Sequence, residues 1–204
     1  MKRPDGLLAT FGMPVPDSAF ARQARELITT VAPEFLVNHS IRAYAWAVEL
    51  ARHDKLAFDP EILYVSAVLH DIGLVPAYDL GGCFEVDGAI AAEAFALEHG
   101  QPPERARAIY DVVELHMAAE LPLDATAEAI LLEASTGTDV TGYRYPDVRQ
   151  DIAPAVLEAY PRLTFKRDFA AMFVDQAWRK PACRVAEMVE TGKLAAIEAA
   201  PFDS

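Results

Sequence analysis

Apolar positions along this chain return mostly at helical intervals, and the breaks between them fall at Pro, Gly and capping residues. Residues 1–16, with Pro4, Pro14 and Pro16, read as a flexible N-terminal leader. Asp17 or Ser18 then caps a helix carrying Phe20, Leu27, Ile28 and Val31. Pro33 opens a longer helix through about Arg52, with Phe35, Leu36, Tyr44, Val48 and Leu50 at roughly helical spacing. Asp59-Pro60 is an N-cap with a first-turn proline. The helix it starts, EILYVSAVLHDIG, is apolar almost all round, which places it at the centre, and Gly73 stops it. After a loop from Leu74 to Gly82, helices are expected from about Glu85 to His99, from Pro103 to about Ala118, and from a cap at Asp124 to near Gly137. The segment TGTDVTGYRYPDV reads as turns, followed by helical stretches over about 147–159, 165–179 and 182–191 and an Ala-rich tail. No strand pair or internal repeat competes. The expected fold class is all-α, with residues 17–204 forming a single domain.

Composition adds limits. A hydrophobic share of 52% over 204 residues supplies a core and argues against disorder. Apolar stretches are interrupted before membrane-spanning length, and the prolines of the N-terminus do not make a signal peptide, so the cytoplasm is the expected location. Cys83 and Cys183 form no CxxC pair and are expected there as free thiols. A net charge of −13 repels phosphate backbones and anionic lipid. The expected partner is a small molecule, with no nucleic acid and no membrane; helical packing faces leave room for a homodimer.

The chemistry concentrates at His70-Asp71, an ionisable pair at the end of the most apolar helix. A carboxylate there needs compensation, and a metal ion supplies it. Upstream lies His39 in NHSIRAYAWA; downstream lies Asp139 in EASTGTDVTG. Two imidazoles and two carboxylates suit Zn²⁺, Fe²⁺ or Mn²⁺ better than Ca²⁺ or Cu⁺. No Gly-rich phosphate loop, dinucleotide fingerprint or serine or cysteine nucleophile motif accompanies them.

The order His, His-Asp, Asp on successive helices resembles the HD superfamily of metal-dependent hydrolases, over residues 38–142. NHSIRAYAWA, AVLHDIGL, FEVDGAIAAEAF, ELH and TGTDVTG together resemble the branch that includes cyanamide hydratase. The resemblance implies an all-α HD-domain bundle around one divalent ion, Zn or Fe(II) with Mn as a further option, held by His39, His70, Asp71 and Asp139. Its pocket residues map onto His116 and Glu85, as proton-transfer groups beside Asp71 that also meet substrate. Arg42 shares a helix face with His39 and is expected to contact substrate, to orient a ligand carboxylate or to form a structural salt bridge, and Phe84 is expected against substrate or in the core. The implied reaction is addition of metal-activated water to a small nitrile, as in cyanamide to urea. One departure matters. Many HD phosphohydrolases resemble HDIGK, whereas position 74 here is Leu. A phosphohydrolase of nucleotides or small phosphate esters is the alternative, and would draw its cations from Arg42, Arg144, Lys166 and Arg167. A non-catalytic ligand sensor is a third reading, disfavoured by the intact ligand set.

Overall fold

The helix that begins after Pro33 is buried on every side: from Phe35 to Ala51 no residue reaches solvent appreciably. It is α3 (Glu34–Asp54), and the computed structural model, which describes residues 6–203, builds the molecule around it. Before it come α1 (Gly6–Thr10) and α2 (Ala19–Val31), the latter capped by Ser18, whose Oγ accepts from Ala21 N at 3.0 Å. After it come α4 (Pro60–Leu69), α5 (Phe84–Glu98), α6 (Pro103–Leu115), α7 (Ala127–Thr141), α8 (Ala153–Ala159), α9 (Phe165–Arg179), α10 (Arg184–Glu190) and α11 (Ala195–Glu198). Short 3-10 turns lie at Ile72–Leu74, Pro76–Tyr78 and Tyr145–Asp147. No strand occurs among the described residues, so the fold is all-α as expected.

α3 packs on α4, α7 and α9, α4 on α2 and α6, and α5 runs along α6. Asp59 caps α4 as anticipated, accepting from Glu61 N and Ile62 N, and Arg105 of α6 clamps both Asp59 and Glu61. The helix then yields seven consecutive buried residues, Leu63 to Leu69. A second apolar cluster, with Phe35, Leu36, Phe84, Phe165, Phe169 and Phe173, fills the space between α3, α5 and α9.

Several expectations change. Residues 6–16 are not a loose leader: Leu8 and Met13 are buried in the core, and Tyr44 Oη donates to Pro14 O at 2.7 Å. Residues 1–5 lie outside the described part. α4 unwinds at His70 rather than running to Gly73. α7 continues through Thr141 to a left-handed Gly142 (φ 82°), so Asp139 stands in a helix and not in a turn. α8 starts at Ala153. Cys83 and Cys183 are not free thiols but a disulfide, with Cα atoms 5.4 Å apart. The reason is tertiary: these residues precede α5 and α10, and the fold brings the two helix starts together across a sequence separation of 100.

Candidate metal centre

Unwinding at the end of α4 gives the His-Asp pair its aim. His70 Nδ1 donates to Ala67 O at 2.8 Å. A carbonyl only accepts, so the ring hydrogen must sit on Nδ1, and Nε2 presents a lone pair. His39 is tied likewise: its Nδ1 faces Asp139 Oδ2 at 2.8 Å. Asp139 is held ionised, far below the usual carboxylate range; burial would raise it, but Arg42 and His39 overcome that. His39 therefore also offers Nε2. The two Nε2 atoms stand 3.2 Å apart, and Asp71 Oδ2 lies 3.4 Å from one and 3.1 Å from the other.

Three electron-rich atoms thus form a triangle, fully buried, with no hydrogen between them required by any other partner. Asp71 Oδ2 has no hydrogen-bond partner among the described residues. A proton relieves only one edge of the triangle. A divalent ion relieves all three. Bonds of about 2.0–2.1 Å to a tetrahedral ion put ligand atoms about 3.3 Å apart, which the observed edges match. Charge follows the same logic. The Asp71 carboxyl is held well below its ordinary value: burial opposes this, but His70, His116 and His39 prevail. His39 is raised: burial works against the charged ring, and Asp139 and Asp71 outweigh it. His70 is lowered, chiefly by burial. The cluster draws positive charge, and His39, His70 and Asp71 fit a metal ion.

The fourth expected ligand is placed differently. Asp139 is not brought into the cluster; it sits behind His39. Arg42 grips it with two bonds (Nε to Oδ1 2.8 Å, Nη2 to Oδ2 2.7 Å), Trp46 Nε1 donates to Oδ1 at 2.8 Å, and Arg162 stands 3.3 Å from Oδ2. This carboxylate already serves as the acceptor that fixes the His39 tautomer. Arg42 correspondingly does not face substrate. It is completely buried and spends its remaining donor on Tyr160 O.

A cavity of about 160 Å³ opens on the cluster. His39, His70, Asp71 and His116 form its polar end. His116 is the C-cap of α6 rather than an interior residue; its Nδ1 donates to Val113 O, leaving Nε2 buried, without a hydrogen bond, and 3.6 Å from Asp71 Oδ1. The other walls come from α7 (Glu133, Thr136, Gly137, Val140, Thr141), α9 (Phe169, Phe173), Met117, Ala118 and α10 (Arg184, Met188). Phe84 and Glu85, expected against substrate, do not line it. Phe84 is fully buried behind the wall, edge-on to His116 at 5.7 Å; Glu85 is buried, with no hydrogen-bond partner for Oε2 among the described residues. Sequence reasoning missed Glu133, Phe169, Phe173 and Arg184. For the first three a signal existed: positions 133, 136, 137, 140 and 141 follow the i, i+3, i+4, i+7 rule of one helix face, and Phe165, Phe169 and Phe173 recur every four residues. Arg184 had none, since only the fold brings α10 to the cavity.

The family profile described as HD domain matches residues 36–137, half of the chain. Two relatives in Saccharomyces cerevisiae, cyanamide hydratase DDI2 and cyanamide hydratase DDI3, are each 27% identical over 174 residues, covering 83% of this chain and 77% of theirs. The chain belongs to the HD domain family, on the branch similar to cyanamide hydratase, and is a metal-dependent enzyme of the hydrolase type.

Proposed function

We propose that this HD-family enzyme hydrates small nitrile-like molecules in the manner of cyanamide to urea, using one Zn²⁺ or Fe²⁺ ion, with Mn²⁺ also compatible with the donor set. One observation carries the reading: the His39–His70–Asp71 cluster opens on a cavity of only about 160 Å³, whose apolar wall comes from Phe169, Phe173, Met117, Met188 and Val140. Pockets for drug-sized ligands run to roughly 300–1,000 Å³. Similarity to the two yeast cyanamide hydratases supports the same choice.

The phosphohydrolase reading loses its cations. Arg42 is spent on Asp139, Arg144 on Asp54 and Asp147, and Arg167 on Asp168, while Lys166 donates to the carbonyls of Glu198 and Ala200. None of the four lines the cavity, where the one cationic side chain a phosphate would meet is Arg184, beside the carboxylate of Glu133.

His39, His70 and Asp71 would hold the ion. Asp139, the fourth ligand expected from the motif order, acts on the ion here through His39 Nδ1. Bound there, a divalent ion lowers the pKa of water toward neutrality and polarises an unsaturated substrate. The chain supplies the rest. Fixed tautomers keep both Nε2 atoms aimed, and Phe169 and Phe173 limit the water that enters. His116 Nε2, at the polar end of the cavity, would take a proton from the attacking water and return it to the nitrile-derived nitrogen. Water adds across the C≡N bond, nothing departs, and the product is an amide, or urea from cyanamide. The test pairs elemental analysis of anaerobically purified protein with two assays: urea from cyanamide, and phosphate from a nucleotide panel. Metal-dependent urea release without phosphate is expected; phosphate release without urea overturns the proposal.

A further inference from the structure

Besides the cluster, the cavity wall carries one carboxylate and one guanidinium, Glu133 of α7 and Arg184 of α10. Both are half-buried, and neither side chain has a hydrogen bond or ion pair among the described residues. Other arginines of this protein find carboxylates even on the surface, as Arg22, Arg107 and Arg167 do. Two charges without hydrogen-bonded partners, in a chamber otherwise lined by the cluster, two threonines and apolar side chains, therefore mark a place where a ligand provides the missing partner. Glu133 faces the same space as His116 Nε2, and its charged neighbours are Arg184 and His116. Burial raises its carboxyl, while Arg184 and His116 act to keep it ionised.

We infer that Glu133 is the specificity-determining acceptor for the N–H groups of the substrate, so that the site selects nitriles bearing a free amino group over alkylated ones. The inference rests on the nitrile reading above and narrows it. Cyanamide has two different ends: a nitrile nitrogen with a lone pair, and an amino group with two donors and no strong acceptor. The cavity wall offers two matching groups, the histidine–aspartate cluster and Glu133. A substrate that touches both puts its nitrile at the cluster and its amino hydrogens on the carboxylate. An analogue without N–H leaves a half-buried carboxylate unpaired, which is the situation in which a site discriminates strongly. Arg184 acts as a positioning residue, holding Glu133 in its charged, accepting form.

The experiment compares cyanamide with N,N-dimethylcyanamide in wild type, Glu133→Gln and Glu133→Leu, following hydration by metal-loaded protein and binding by calorimetry on metal-stripped protein. Wild type should prefer cyanamide in both readouts. Glu133→Leu should cut the cyanamide-to-dimethylcyanamide ratio of kcat/KM by about tenfold or more, chiefly through KM, with Glu133→Gln between. Calorimetry should show the same loss of preference. An unchanged ratio in Glu133→Leu, with both substrates still hydrated, overturns the role of Glu133 and leaves the nitrile reading standing. Hydration of neither nitrile by wild type, with no preference in calorimetry, overturns both.

Discussion

An imidazole tied at Nδ1 to an oxygen that only accepts has one tautomer left to present, and His39, His70 and His116 are all tied in this way. Their Nε2 atoms meet around Asp71 without rearrangement. His70→Ala and Asp71→Ala should therefore keep their helical circular dichroism while losing bound metal, by elemental analysis, and activity together. Asp139 is a different case, because it answers two buried guanidiniums as well as His39. Asp139→Ala strands Arg42 in the core and should lower unfolding free energy by about 3–5 kcal/mol in urea titration. His70 and Asp71 were legible in the sequence, since an ionisable dipeptide on an apolar helix has few explanations; His39 and Asp139 followed from the order of the motif. Their division of labour was not legible. Whether Arg42 meets substrate or Asp139 depends on where α7 crosses α3, and no spacing within either helix encodes that.

Among the elements, the turn after α4 depends on a close approach. A Cβ on Gly73 would stand 2.0 Å from the carbonyl oxygen of Phe84 and 2.8 Å from the backbone nitrogen of Gly88. Backbone cannot step aside as a flexible side chain does. Gly73→Ala should therefore push α5 away from the His-Asp turn, costing about 1–3 kcal/mol or more in stability and weakening metal binding as well. The disulfide acts on another pair of elements. It joins the start of α5 to the start of α10, and α10 carries Arg184 and Met188 to the cavity. Cys183→Ser should lower stability by about 2–5 kcal/mol, and partial proteolysis should find its first cuts near α10. Helix starts at Ser18 and Asp59 were readable because a cap is a local device. The end of α7 was misjudged because Gly137 is a cavity residue inside the helix, while the glycine that ends it is Gly142.

For the whole molecule, acid tests how far ion pairs fasten the parts. Asp79, in the loop before α5, binds Arg179 at 2.7 Å and Lys180 at 2.8 Å at the end of α9. Burial works against its charge, but Lys180 and Arg179 hold its carboxyl far below the usual range. Asp54 is lowered to about 2, chiefly by its hydrogen bonds to Arg144. A carboxylate whose folded pKa is depressed contributes its stability fully above the unfolded value, near 3.8, and loses it as pH falls toward the folded value. Denaturant midpoints should thus be nearly flat from about pH 7 to 5 and decline below about pH 4. Asp79→Asn should be less stable than wild type at neutral pH and show a shallower acid decline.

The chain by itself determined the all-helical class, the central place of the α4 segment, and the His70-Asp71 pair at its end. Those depend on periodicity, capping and the cost of burying charge, which neighbours in sequence already express. Only the tertiary structure decided that Cys83 meets Cys183, that Asp139 holds His39 from behind, that Phe84 and Glu85 lie outside the cavity, and that Glu133 faces it with Arg184. Each of these depends on which faces of distant helices come together, a property of packing that no local stretch of residues carries.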